Sequence, residues 1–175
     1  MPLYFITGPS GSGKSTIAQE LKRRGYEAYD TDDDGLARWQ NVETGYIHPK
    51  SSIKAVDRTQ EFLNNHSWNV PPENIQNIIN KKYTGSIFIL GAIGNENELK
   101  DLFSRGFLLL LSDKELVTRL QSRTNNDWGK QAHELELTLK AKRQSEERWR
   151  RLGYIEIDAA QSINHVVDDI ISEIL

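Results

Sequence analysis

The stretch of sequence that decides the fold is Gly8-Pro9-Ser10-Gly11-Ser12-Gly13-Lys14-Ser15. It matches the pattern G-x-x-x-x-G-K-[ST] at every fixed position. Gly11 and Gly13 permit the tight turns that aim successive backbone N–H groups at one anion. The stretch, called here the phosphate loop (residues 8–15), therefore predicts a site for the phosphates of a nucleoside triphosphate.

The segments on either side of the phosphate loop have the pattern that such a site needs. Leu3–Thr7 is a short apolar run typical of a buried strand, and residues 14–24 have a helical pattern that ends at Gly25. Lys14 is expected to reach the β- and γ-phosphates, and the Ser15 hydroxyl to bind Mg²⁺. The predicted cofactors are ATP and Mg²⁺. The predicted nucleotide-binding residues of this region are Gly8, Ser10, Gly11, Ser12, Gly13, Lys14, Ser15 and Thr16.

Strands and helices alternate along the rest of the chain. Four more strands are predicted at residues 27–29, 86–90, 107–111 and 154–157, with helices at 95–104, 112–123, 133–152 and 163–175. This alternation predicts an α/β fold with a parallel sheet. The expected architecture is a single three-layer α/β/α domain (1–175) with a five-stranded parallel sheet in the order 2-3-1-4-5. Residues 35–85, mostly helical in period, are expected to form an acceptor-binding insert, and residues 124–132 a lid.

An acidic cluster, Asp30-Thr31-Asp32-Asp33-Asp34, follows the second predicted strand. The strand at 86–90 ends in Gly91 with no Asp, so the metal-side carboxylate must come from elsewhere. Ligands of open α/β sheets bind outside the carboxyl ends of the strands, which is where Asp30 and Asp32 lie. Asp30 is predicted to act at the metal, and Asp32 to hold or deprotonate an acceptor hydroxyl. The alternative is that residues 32–34 only cap a following helix.

A phosphate loop ending Gly-Lys-Ser-Thr, followed about fifteen residues later by Asp-Thr-Asp, resembles the shikimate kinase and gluconate kinase branch of small-molecule kinases. It is more distantly similar to nucleoside monophosphate kinases such as adenylate kinase. The resemblance implies ATP-dependent phosphoryl transfer to an alcohol group of a small metabolite. It also implies substrate contacts for Arg58, which has the R-x-x-E spacing with Glu61, for Gly91 in a glycine-rich turn, and for Arg143 as a later arginine.

The remaining candidates flank the predicted lid. Arg119 and Arg123 share one helical face and are expected to act in catalysis by meeting the charge of the transferring phosphoryl group. The alternative is that they are solvated surface charges. Asn95 would bind the acceptor or cap a helix. Trp39, Trp68 and Trp149 are expected to pack rather than to bind ligand, whereas Trp128 would stack on a base or cover the closed site.

Composition narrows the class of protein. The chain has 175 residues, a net charge of −3 and no cysteine, so neither a basic nucleic-acid surface nor a disulfide framework is expected. Its apolar runs are too short for a membrane span. We therefore expect a cytoplasmic monomer or homodimer that acts on a small molecule, without a nucleic-acid or membrane partner. Two alternatives stay open: a nucleoside or nucleotide kinase, and a nucleotide-dependent regulator or ATPase without a small-molecule acceptor.

Overall fold

The computed structural model describes residues 1–50, 52–81, 83–124 and 128–175. Its strands are β1 Leu3–Thr7, β2 Glu27–Asp30, β3 Arg38–Asn41, β4 His66–Asn69, β5 Ile87–Leu90, β6 Arg105–Leu110 and β7 Ile155–Asp158. Its α-helices are α1 Lys14–Arg23, α2 Gln60–Asn65, α3 Pro72–Ile79, α4 Glu96–Leu99, α5 Asp113–Ser122, α6 Ala132–Arg151 and α7 Ile163–Ser172. Short 3₁₀ turns span Ala55–Asp57 and Lys100–Leu102.

Five of these strands form one parallel sheet in the order β2-β5-β1-β6-β7. This order is the predicted 2-3-1-4-5 once β3 and β4, which pair outside the sheet, are left out of the numbering. The predicted fold class is therefore confirmed. Short, continuously apolar strands such as β1 and β5 are buried on both faces, as central strands of a parallel sheet must be.

The central strand β1 separates two hydrophobic cores. Tyr4 and Ile6 point into the core built with α1, α5 and α7, whereas Leu3 and Phe5 point into the core built with α3 and α4. Successive side chains of a strand point to opposite faces, so one five-residue strand serves both layers. The three-layer arrangement follows, and it brings the phosphate loop to the carboxyl edge of the sheet.

The insert differs from its prediction. Instead of a mostly helical segment, residues 38–69 contain an antiparallel pair, with Trp39 opposite Trp68 and, in the described part of this range, one short α-helix between the strands. Cross-strand aromatic pairs stabilise such a ribbon, and this pairing outweighs the weak helical period of the polar residues. The predicted helix at 95–104 is likewise only α4 and a 3₁₀ turn, because the Ser104 N–H returns the chain to β1 by donating to the Leu3 carbonyl (2.7 Å).

Residues 135–139 alternate like a strand but lie in α6, as predicted. None of the helices within the four described stretches combines the length and the apolar character that crossing a membrane requires.

Candidate active site

The phosphate loop connects β1 to α1 at the carboxyl edge of the sheet. Gly11 and Gly13 have φ angles of 91° and 98°, in the left-handed region that favours glycine. A Cβ on Gly11 would also lie 3.1 Å from the side chain of Leu120. The loop can therefore close against α5 only because glycine stands at these positions. Thr16 lies on the exposed side of the first turn of α1.

Lys14 folds back over the loop. Its ammonium group donates to the carbonyl oxygens of Gly8 (2.8 Å) and Pro9 (2.9 Å), and its side chain is buried. Burial lowers the pKa of Lys14 to about 8, although the negative charges of Asp32 and Asp30 oppose this shift. An anion bound in the loop would favour the charged form of this lysine.

Ser15 and Asp30 supply two neighbouring oxygen atoms beside the loop. The Ser15 hydroxyl donates to Oδ2 of Asp30 at 2.8 Å. The other oxygen, Oδ1, accepts the backbone N–H groups of Asp32 (2.9 Å) and Asp33 (3.2 Å), which fixes the carboxylate. Hydroxyl and carboxylate oxygens are the donors that Mg²⁺ prefers.

The donor set fits a magnesium ion that is held together with a nucleotide. Within the described residues, no group of three or more His, Cys, Asp or Glu side chains could hold a metal by itself. Mg²⁺ usually takes only one or two protein oxygens and completes its shell with phosphates and water. The pair formed by Ser15 and Asp30 is sufficient for that mode of binding.

Asp32 occupies the same turn as Asp30 but faces the open cleft. Its Oδ1 accepts hydrogen bonds from the indole Nε1 of Trp68 (2.8 Å) and from the hydroxyl of Thr31 (3.2 Å). The surrounding walls of the cleft deprive the carboxylate of hydration and raise the pKa of Asp32, while the Trp68 hydrogen bond opposes this. The next element is β3 and not a helix, so the capping alternative does not describe this cluster.

The cleft has a volume of about 1030 Å³ and is bordered by the phosphate loop, the insert, residues 92–94 and one face of α6. All four tryptophans of the chain line it. The ring centroids of Trp39 and Trp68 are 5.1 Å apart, and those of Trp39 and Trp128 are 6.3 Å apart. The expectation that Trp39, Trp68 and Trp149 only pack is incomplete, because they also border the cleft.

Arg119 and Arg123 both lie beside the phosphate loop. Arg123 donates to the hydroxyl of Ser10 (3.1 Å) and to the backbone carbonyl of Trp128. Arg119 donates to the Ala159 carbonyl at 3.0 Å, and its guanidinium lies 4.0 Å from the position of a Cβ on Gly13. The structure thus brings both arginines next to the phosphate loop.

Arg58 reaches the cleft from the insert but is already paired. Its Nε donates to Oε1 of Glu134 at 3.0 Å, and Glu134 is fully buried. The second oxygen of Glu134 accepts the Gly129 N–H at 2.9 Å. No local sequence signal marks Glu134, because its partner Arg58 is remote in sequence.

The predicted lid is described only in part, since residues 125–127 lie outside the described residues. Within the rest of it, the Trp128 indole N–H donates to the Thr138 hydroxyl at 2.9 Å.

Three predicted substrate residues are not brought to the cleft. The side chain of Arg143 is 71% exposed and pairs with Asp113 at 2.9 Å, while the same helix turns Lys142 and Arg148 to the cleft. The Asn95 amide is buried and bonds both backbone groups of Val70 (3.0 and 2.9 Å), without capping α4 through its side chain. Gly91 is buried directly beneath Thr31 and makes room for its side chain.

This arrangement, a phosphate loop after β1 and carboxylates at the end of β2 on the same edge of a five-stranded parallel sheet, is that of the P-loop kinase fold. A family model described as AAA domain matches residues 5–150, and the chain belongs to that family.

Solved structures confirm the fold. A gluconokinase from Sinorhizobium meliloti 1021 is 17% identical, with 95% of this chain and 87% of that chain covered and a TM-score of 0.51. A shikimate kinase from Acinetobacter baumannii in complex with shikimate is 14% identical, with coverages of 99% and 93% and a TM-score of 0.61. TT1252 from Thermus thermophilus is 19% identical, with coverages of 99% and 98% and a TM-score of 0.61.

Curated relatives match a smaller part of the chain. Two uridine kinases from Clostridium perfringens are 35% identical in an alignment 82 residues long, with 40% of this chain and 39% of each relative covered. The chain therefore spans about two fifths of the length of the curated relatives it matches.

Proposed function

We propose that the chain is an ATP- and Mg²⁺-dependent kinase that moves the γ-phosphoryl group of ATP to a hydroxyl of a small molecule. The observation that supports this proposal is that two carboxylates of one turn face different parts of the site. Asp30 faces Ser15, at the metal side, whereas Asp32 faces the cleft, where an acceptor can reach it. A protein that only binds nucleotide needs the first carboxylate but not the second.

The donor half of the reaction is assigned to the phosphate loop and its neighbours. Bound MgATP supplies the transferable phosphoryl group, and its metal neutralises part of the charge on the phosphates. Ser15 and Asp30 hold the metal side, and the Lys14 ammonium leaves the loop carbonyls to meet the phosphates. Arg119 and Arg123 lie beside the loop and stabilise the negative charge that spreads over the transferring group.

The acceptor half is assigned to Asp32 and the insert. Trp68 and Thr31 hold Oδ1 of Asp32, so Oδ2 is the oxygen that accepts the proton of the acceptor hydroxyl. The hydroxyl oxygen forms a bond to the γ-phosphorus while the bond from that phosphorus to the bridging oxygen breaks, and ADP leaves. In this proposal residues 35–85 form the acceptor-binding insert, and residues 124–132 form a lid that excludes water.

The experiment that tests this proposal is an ADP-release assay with MgATP and pooled sugars, sugar acids, polyols, nucleosides or nucleotides. A pool that raises turnover well above the acceptor-free rate supports a kinase, and Lys14→Ala measured with the same pool gives the background. ATP binding without stimulation by any pool would contradict the proposal. That result would favour a nucleotide-dependent regulator or ATPase.

A further inference from the structure

We infer that the acceptor is an uncharged molecule with a flat aromatic ring and an attached hydroxyl-bearing ring, which is the chemistry of a nucleoside. This inference rests on the proposed kinase function. Two features of the cleft support it. The first is a row of indole rings next to Asp32, and the second is that cations which could bind an anionic acceptor are paired with carboxylates of the chain.

The first feature is the indole wall, formed by Trp39, Trp68 and Trp128. The three side chains are half-buried and line the cleft together. The indole N–H of Trp68 is bonded to Asp32, and that of Trp128 to Thr138. Since these polar atoms already have acceptors, what the two rings offer a ligand is mainly their apolar faces.

Apolar rings that line a concave site indicate a ligand with a matching flat apolar surface. Indole faces stack well on aromatic heterocycles because every base has a π face, and such stacking needs no particular hydrogen-bond pattern. The side chain of Trp39 makes no hydrogen bond among the described residues. Its ring lies between the other two, with centroid distances of 5.1 Å to Trp68 and 6.3 Å to Trp128. It is therefore the residue whose replacement interrupts the wall with the smallest effect on polar contacts.

The second feature concerns charge. Arg58 from the insert is paired with the buried carboxylate of Glu134, and its guanidinium lies 5.5 Å from the centre of the Trp128 ring. A carboxylate or phosphate placed at Arg58 would therefore also approach the negative charge of Glu134, which is shielded from water. Arg58 thus supports the wall rather than presenting an unbalanced positive charge to the acceptor.

The two cations that α6 turns to the cleft are paired in the same way. Lys142 contacts Asp113 (3.0 Å) and Glu146 (3.1 Å), and Arg148 pairs with the buried Glu96. On the insert, Arg38 donates through Nη1 to the Gly35 carbonyl (2.6 Å) and the Ala37 carbonyl (2.7 Å).

Lys50 is exposed at the rim of the cleft. Of the cations on the acceptor side, Arg58, Lys142 and Arg148 are compensated by carboxylates. Arg38 bonds neutral carbonyls, and neither it nor Lys50 pairs with a carboxylate in the described contacts.

The wall and the candidate base are adjacent, because the Nε1 of Trp68 lies 2.8 Å from Asp32. An acceptor must therefore place a hydroxyl at Asp32 and a flat face on the neighbouring rings. A nucleoside does both at once: its sugar carries the hydroxyl, and its base provides the face. A simple polyol lacks the flat face, and a nucleotide or sugar acid brings a negative charge.

The test is calorimetry of the full chain with MgADP present and four probes that vary flatness and charge separately. The probes are uridine, uridine 5′-monophosphate, ribose and gluconate. We expect uridine to bind about tenfold or more tightly than each of the others. Trp39→Leu should weaken uridine binding by about tenfold, whereas Tyr46→Leu, an exposed aromatic outside the cleft lining, should leave it unchanged.

Glu134→Gln tests the charge argument separately. The amide keeps an acceptor for Gly129 or Arg58 but removes the compensating charge, so the affinity for uridine 5′-monophosphate or gluconate should rise by about fivefold or more. Tighter binding of the nucleotide or of gluconate than of uridine by the unmodified chain would overturn the inference. Stimulation of ADP release by sugar acids alone would overturn the inference and leave the kinase proposal standing, whereas no stimulation by any pool would overturn both.

Discussion

The Ser15 hydroxyl and the Asp30 carboxylate are hydrogen-bonded at 2.8 Å, joining the first turn of α1 to the end of β2. In the proposed function these two oxygen atoms are ligands of Mg²⁺, and the contact holds them side by side. Their separation from the cleft-facing Asp32 makes it feasible to test the metal side and the acceptor side of the site independently.

Replacing either partner of this pair should raise the Mg²⁺ concentration needed for half-maximal ADP formation. We expect Ser15→Ala and Asp30→Asn each to raise it by about tenfold or more, since each variant removes one oxygen ligand or its charge. The double variant should show less than the sum of the two effects, because the residues act on one ion. Asp169→Asn, at a half-buried position of α7 where the side chain accepts a hydrogen bond from Gln161, serves as the control. Additive effects at saturating ATP would contradict a shared metal site.

The buried ammonium of Lys14 predicts that nucleotide affinity depends on pH. With a pKa of about 8 in the free protein, Lys14 is charged below this pH and increasingly neutral above it. Bound phosphate raises this pKa, so binding above pH 8 requires uptake of a proton. The dissociation constant for ATP should be flat from pH 7 to about 8 and then rise by up to tenfold per pH unit.

Calorimetry in buffers of different ionisation enthalpy measures this proton uptake directly. Lys14→Met should bind ATP weakly at every pH and without the rise above pH 8, because it cannot titrate. A charge about 4 Å from another is worth about 4 kcal/mol at an effective dielectric constant near 20, so the loss at neutral pH should amount to a few kcal/mol. An affinity of the unmodified protein that stays constant to pH 9.5 would exclude this role for Lys14.

The sequence was sufficient for the parts of the fold that depend on local patterns. The glycines of the phosphate loop and the continuously apolar strands are recognisable within short windows, and the alternation of strands with helices indicates a parallel sheet. The pairing of Trp39 with Trp68 is different, because it joins residues from the two ends of the insert. The sequence around each tryptophan contains no indication of the other strand, so the helical prediction for this segment is wrong.

The candidate site shows the same difference between residues with a local sequence signal and residues placed by contacts with distant segments. Lys14, Ser15 and Asp30 belong to segments with strong local signals, and the structure places them together. Helix α6 is charged on all sides, so its sequence could not tell whether Arg143 or Arg148 faces the cleft. That choice depends on how the helix packs against α5 and the insert. The position of Asn95 is a related case. Its amide bonds the backbone of Val70, which comes from a distant segment that the sequence around Asn95 does not indicate.

A comparison of two arginines tests the donor side. Arg123→Ala removes a guanidinium that contacts Ser10 of the phosphate loop and should slow phosphoryl transfer by roughly 10²- to 10³-fold. Arg143→Ala removes a side chain that is 71% exposed and pairs with Asp113, so turnover should change less than about twofold. Steady-state kinetics with the acceptor found in the screen checks both. A larger loss for Arg143→Ala than for Arg123→Ala would reverse the assignment.

Two tryptophans allow a test of Asp32 as the base. Trp68→Phe removes the hydrogen bond that counteracts the raised pKa of Asp32, so this pKa should rise further. Because the reaction needs ionised Asp32, the acid limb of kcat/KM should move to higher pH. Trp149→Phe is the matched control, since within the described residues the buried indole N–H of Trp149 meets no hydrogen-bond acceptor. Identical acid limbs for the two variants would argue against Asp32.

Gly91 lets the turn that carries Asp32 sit close to the end of β5. A Cβ on Gly91 would lie 2.3 Å from the Thr31 hydroxyl and 2.6 Å from its methyl group. Neither residue can move easily, because the Gly91 N–H bonds the Ile6 carbonyl (3.1 Å) and the Thr31 N–H bonds the Leu90 carbonyl (2.8 Å). Gly91→Ala should therefore lower the free energy of unfolding by about 1–3 kcal/mol, as overpacking of a buried site does.

Thr31→Ala in the same chain should restore most of the stability lost in Gly91→Ala, because it removes the two atoms that the new methyl group would approach most closely. Thr31→Ala alone should be mildly destabilising, since it deletes a fully buried side chain and the hydrogen bond to Asp32. Urea unfolding of the four proteins gives the coupling between the sites. A substrate-contacting glycine would instead lose acceptor affinity in Gly91→Ala at unchanged stability, with no rescue by the second substitution. Rescue of stability would identify Gly91 as the residue that fixes the height of the Asp32 turn above the sheet.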